Sequence, residues 1–139
     1  MSVPFLFDTS ALSIAMSKQR IARHVDYAEW LRALPRREQF TCTTVVGELR
    51  FGARRDHLRR QSLDARIDEV LSRLTVVPYD LATTVHYAAV RADLTSRGIV
   101  IGEADMQIAA CALEHHCAMV TANIKDFERV DGLQIHGVR

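Results

Sequence analysis

From Ala104 to Leu113 almost every side chain is small or apolar. The spacing predicts a helix starting near Gly102. A helix that is apolar nearly all round has to be buried, with other elements packed around it. This fixes the setting of Asp105. In the first turn, it shares a face with Ile108, Ala109 and Ala112, so its carboxylate sits at the edge of a packed core. Glu103 points about 200° away by helical phase and reads as a first-turn acid that complements the helix dipole.

The elements that do the burying are short. Val3 to Phe7 is an apolar run without alternation, which suits a strand covered on both faces. Further strands are predicted near 40–42, 75–77 and 118–121, with a fifth over Leu133 to Ile135. Between them lie helical patterns at 11–16, 25–34, about 43–55, about 57–74 and 81–96, the last stopped by Arg97-Gly98. Thr43 or Thr44 is the expected cap of the third of these. One helical turn or a plain turn is expected over Asn123 to Glu128. Strands alternating with helices predict one α/β domain over 1–139, in three α/β/α layers with a mainly parallel central sheet.

In such sheets the ligand crevice lies outside the carboxyl ends of the strands. Four acids fall near that edge. Asp8 follows the first strand, Glu48 sits in the second turn of the next helix, Asp105 opens the apolar helix, and Asp126 lies just past the fourth strand. Simpler roles exist: Asp8 can cap a helix and Asp126 can initiate a turn. Glu48 is harder to place that way. A capping-box acid following Thr44 belongs at position 47, and Glu48 shares a face with Phe51 and Gly52. Gly47 and Gly52 each cost about 1 kcal/mol inside a helix, and a close backbone approach would account for them. Carboxylates gathered in one crevice repel each other, and a divalent cation relieves this. Oxygen ligands without His or Cys select Mg²⁺ or Mn²⁺. Such ions lower the pKa of bound water and clamp a phosphoryl group.

The segments around these acids carry a family resemblance. Leu6-Phe7-Asp8-Thr9-Ser10-Ala11-Leu12, Gly47-Glu48-Leu49-Arg50-Phe51-Gly52-Ala53, Ile101-Gly102-Glu103-Ala104-Asp105-Met106-Gln107-Ile108-Ala109-Ala110 and Val120-Thr121-Ala122-Asn123-Ile124-Lys125-Asp126-Phe127 follow one another in the order of a PIN domain. The chain most resembles the VapC-type toxins of toxin–antitoxin pairs. The resemblance implies a PIN-like fold and an Mg²⁺-dependent endoribonuclease. Its acidic site would be Asp8, Glu48, Asp105 and Asp126, with Asp8, Glu48 and Asp105 on metal. Thr9, Ser10, Thr121 and Asn123 would be hydrogen-bonding neighbours. It also implies a homodimer and a cognate VapB-type antitoxin that pushes a basic side chain toward the acidic crevice. The apolar surplus in the helices after Asp8 and around Trp30 offers surface for such partners. A phosphatase or DNA nuclease on the same carboxylates, or a non-catalytic nucleic-acid-binding module, are the competing readings. An Asp-x-Asp after the first strand would favour a phosphatase, and position 10 is Ser10.

Charge is informative by type. Sixteen of the 18 basic residues are Arg, with Lys18 and Lys125 the remainder, and net charge is only +1. Between Arg50 and Arg73 stand seven Arg against four acids. Arg50, Arg54, Arg55, Arg59 and Arg60 are candidates for an RNA-tracking face, with a solvated charged face as the alternative. Three cysteines without a C-x-x-C pair argue against a disulfide framework and fit a reducing cytoplasm. No apolar run reaches the length of a membrane span.

Overall fold

The computed structural model describes residues 3–139. Five strands form one sheet: β1 (Phe5–Phe7), β2 (Gln39–Cys42), β3 (Thr75–Val77), β4 (Ala118–Thr121) and β5 (Ile135–Gly137). Every pairing is parallel, in the order β3-β2-β1-β4-β5. Eight helices connect or follow them: α1 (Thr9–Met16), α2 (Lys18–Ile21), α3 (Val25–Ala33), α4 (Thr43–Arg55), α5 (Arg60–Leu71), α6 (Leu81–Ser96), α7 (Glu103–Glu114) and α8 (Ile124–Phe127). All four residues of β4 are buried, and successive side chains point to opposite faces, so helices cover both sides of the sheet. The three-layer parallel architecture expected from the sequence is the one observed.

The chain starts in the middle of the sheet. It runs outward through β2 and β3, then returns to place β4 on the other side of β1. The order therefore reverses between β1 and β4, where open α/β sheets hold their ligands. The register sets Phe7 opposite Val120. The next residue on each strand is Asp8 and Thr121, so both emerge side by side at that switch point.

The helix predicted around Ala104 to Leu113 is the buried one. In α7, Met106 and the run from Ile108 to Ala112 are all buried. Gly98, in the left-handed region at φ 68°, ends α6 as expected.

Several boundaries differ from expectation. The first strand begins at Phe5, where its pairing with both neighbours starts, and Val3 before it is 40% exposed. The fifth lies at 135–137, where it pairs with 119–121. The helix predicted over 57–74 is shorter, at 60–71. Two short elements, α2 and a 3₁₀ turn at Arg36–Glu38, had no periodic signal to betray them. Neither Thr43 nor Thr44 caps α4; Cys42 is the N-cap residue and makes no side-chain cap bond. Thr43 Oγ1 instead accepts from Tyr79 N at 3.0 Å. Trp30 is half-buried, edge-on to Phe5 at 5.0 Å and stacked on His136 at 3.9 Å, so only part of its apolar surface is left outward.

Candidate active site

Asp8 is the fixed point of the site. Only 3% exposed, it uses both carboxylate oxygens. Oδ1 accepts from Ser10 Oγ at 2.7 Å and from the Ala11 amide at 2.8 Å, and Oδ2 accepts from Thr121 Oγ1 at 2.5 Å. It is thus the N-cap of α1 and a member of the acidic group at once. The two hydroxyls are held in turn. The Ala122 amide donates to Ser10 Oγ at 3.0 Å, and the Asn123 amide donates to Thr121 Oγ1 at 2.8 Å. Each hydroxyl proton is committed to Asp8, so Ser10 and Thr121 read it as a carboxylate.

Three further acids face this socket from three other elements. Asp105 comes from the first turn of α7, Glu48 from the second turn of α4 and Asp126 from α8. Burial pushes the Asp105 carboxyl up to about 6, and the charges of Asp8, Glu48 and Asp126 push the same way. Burial likewise raises Asp8 above the usual carboxylate range, with Glu48 adding to it, against the lowering effect of its three donors. Thr9 Oγ1 donates a short hydrogen bond to Glu48, and Asn123 Nδ2 donates to Asp126 Oδ2 at 3.0 Å. The structure therefore brings Asp8, Glu48, Asp105 and Asp126 together electrostatically and puts Thr9, Ser10, Thr121 and Asn123 against them.

The donor set is oxygen only, and its charges repel each other. Both properties suit a hard divalent cation. Among the described residues no three His, Cys, Asp or Glu side chains are grouped closely enough to grip an ion as they stand. Glu48 and Asp126 each give an oxygen to a neighbouring donor, so a cation entering here competes with Thr9 and Asn123.

Glu103 faces the other way, as its helical phase predicts. It accepts a short hydrogen bond from Tyr87 and lies 3.8 Å from Arg91. One polar contact escaped sequence reasoning. Thr44 Oγ1 donates to Gln107 Oε1 at 3.1 Å, tying α4 to α7, the helices that carry Glu48 and Asp105. The signal was there: Gln107 is a lone amide within an apolar stretch.

The arginines predicted to track RNA are dispersed. Arg50 pairs with Asp68 at 3.0 Å, Arg59 pairs with Asp56 at 2.8 Å, and Arg55 lies over the Phe51 ring at 5.2 Å. Arg54 and Arg60 are exposed. Phe51 is itself 63% exposed, so the face it shares with Glu48 opens to solvent instead of the core. The close approach expected at the α4 glycines is absent: a Cβ at Gly47 or Gly52 would meet nothing within 4 Å among the described residues.

Comparison with known proteins agrees with the fold. Residues 5–133 match the PIN domain. Ribonuclease VapC2 of Rickettsia felis is 29% identical over 131 residues, 93% of each chain. The tRNA(fMet)-specific endonuclease VapC of Shigella flexneri is 37% identical over 87 residues, covering 63% of this chain and 65% of that one. The crystal structure of VapBC2 from Rickettsia felis, bound to a DNA fragment from its promoter, superposes with a TM-score of 0.88 at 25% identity, over 99% of this chain and 100% of that one. The chain belongs to the PIN-domain family and, within it, to the VapC ribonucleases. Dependence on a divalent metal is the general property of PIN-domain nucleases.

Proposed function

We propose that this protein is an Mg²⁺-dependent endoribonuclease, the toxin of a VapBC-type pair. The observation that carries the reading is the meeting of four carboxylates from four separate elements at the β1–β4 switch point. Asp8, Glu48 and Asp105 would hold the ion, Mg²⁺ or Mn²⁺, and Asp126 completes the acidic wall. A bound ion supplies an activated water and charge neutralisation at the scissile phosphate. The chain's own work is orientation. Ser10, Thr121 and the Ala11 amide lock the Asp8 carboxylate in one rotamer, so one ligand needs no reorganisation on binding. Thr9 and Asn123 orient Glu48 and Asp126, and would yield the carboxylate oxygens they occupy if an ion claimed them. Asp105, raised to about 6, holds a proton at mildly acidic pH and would have to be ionised to serve as a ligand.

The partners follow from the same reading: RNA as substrate, a VapB-type antitoxin as the neutralising protein, and a second copy of the chain as a homodimer. Outward on α6 lie Leu81, 86% exposed, and Val85, 70% exposed, one turn apart, a face on which a second copy can sit. Among the described residues no helix is long and apolar enough to cross a membrane, and we place the protein in the cytoplasm with its RNA. The test is incubation of the purified protein with total RNA in Mg²⁺ and in EDTA, beside Asp8→Asn. Cleavage that needs Mg²⁺ and Asp8 is expected. Cleavage that survives both changes, or no cleavage by the parent, would sink the assignment.

A further inference from the structure

Gly52 stands in the third turn of α4, where it costs about 1 kcal/mol relative to Ala. Nothing within the described chain requires it, since a Cβ there would meet open space. The space is a groove of about 640 Å³ whose lining includes Thr9 and Glu48 and otherwise comes from α1 and α2 on one side and from α4, Arg59 and α5 on the other. Beyond Glu48 its ionisable walls are cationic: Lys18, Arg20, Arg59 and Arg66. Arg59 is engaged with Asp56. Among the described residues no carboxylate forms an ion pair with Lys18, Arg20 or Arg66. Like charges collected along one groove repel each other until an anion lies between them.

We propose that this groove carries the RNA strand away from the scissile phosphate. In it Lys18, Arg20 and Arg66 meet backbone phosphates, and Gly52 leaves room for the strand against α4. The inference rests on the ribonuclease reading and adds a direction to it. A polyanion whose reacting phosphate sits at the carboxylates has to leave along a path, and this one begins at Thr9 and Glu48. Arginine suits it through its planar fork of donors. The path departs from the Arg50–Arg60 face expected from sequence, sharing only Arg59 with it.

Two variants test this, Gly52→Leu and the double change Arg20→Glu with Arg66→Glu, beside a charge-matched control, Arg32→Glu with Arg37→Glu. The probe is a 20-nucleotide single-stranded RNA of mixed sequence, bound in EDTA over a range of salt. Gly52→Leu should melt at or above the parent temperature and bind the RNA at least about tenfold more weakly. The double groove variant should lose about 25-fold at 0.1 M salt, and its salt slope should fall by roughly 0.7 for each phosphate contact removed. The control should retain the parental slope. Parental affinity and slope in both groove variants would overturn the proposal. So would normal RNA binding with loss of a co-expressed antitoxin, which would make the groove a protein-docking surface. Because binding is read without metal, a parent that binds RNA here but fails to cleave it in Mg²⁺ overturns the ribonuclease reading alone.

Discussion

Asp105 and Glu103 lie two residues apart in the first turn of one helix, and the fold treats them oppositely. Asp105 faces the switch point, where burial and three other acids lift its carboxyl to about 6. Glu103 faces α6 and the solvent, where the Tyr87 hydroxyl holds its carboxyl below the usual range, with help from Gln107 and Arg91. One region gathers like charges and stays in tension. The other pairs its acid with donors and is at rest. A carboxylate under tension is the one that gains from a cation, so the helix turns one acid to chemistry and the other to scaffolding.

The largest effect expected from this contrast is on cleavage. Asp8→Asn, Glu48→Gln and Asp105→Asn should each lower RNA cleavage by about a hundredfold or more, and Asp126→Asn by less. Glu103→Gln should stay within about twofold of the parent. Rates on one labelled RNA, scaled to folded protein, decide it. A Glu103→Gln loss as large as that of Asp105→Asn would erase the distinction between the two faces.

Next comes the socket. Thr121→Val removes a hydroxyl that donates to buried Asp8 and should cost about 1.5–3 kcal/mol in denaturant unfolding. Tyr87→Phe removes an equivalent donor from exposed Glu103 and should change stability much less. Equal losses would mean that burial does not separate the two acids.

Proton linkage gives a third contrast, measured without metal. The folded value of Asp105 lies above its unfolded one, so the folded state binds the proton more tightly. Stability should therefore fall as pH rises from about 4 to about 6, and Asp105→Asn should flatten that decline. Glu103 has the opposite sign. Its contribution is present above the unfolded value and fades as pH falls through the lower folded one. Unfolding midpoints of the parent and the two amide variants at pH 4, 5, 6 and 7 provide the test. Stability of the parent that rises across this interval while Asp105→Asn is flat would reverse the assignment.

The smallest effect is the metal increment in melting. Mg²⁺ should raise the melting temperature of the parent by binding the folded state. The increment should shrink in Asp8→Asn, Glu48→Gln and Asp105→Asn and persist in Glu103→Gln. An undiminished increment in Asp105→Asn would place the ion elsewhere.

The alternation of short apolar runs with helical patterns was enough to specify a parallel α/β sheet, because period and run length encode how each segment is buried. It also placed Asp8 and Asp126 just past strand ends and Glu48 and Asp105 in the first turns of helices at that edge, and the phase of α7 separated Asp105 from Glu103. These are local properties, readable from residues a few positions apart. Strand order is not local. Only the packed sheet put β4 beside β1, and with it Thr121 on Asp8, 113 residues away in sequence. The fold likewise decided that Gln107 meets Thr44, that Trp30 stacks on His136, and that Lys18, Arg20 and Arg66 come to one groove. The sequence pointed to Arg50, Arg54, Arg55, Arg59 and Arg60 and passed over Arg66, because spacing along a helix does not separate a phosphate contact from a solvated charged face. Which of them meets a phosphate depends on the element across the groove, and α2, four residues long, is too short to leave a periodic trace.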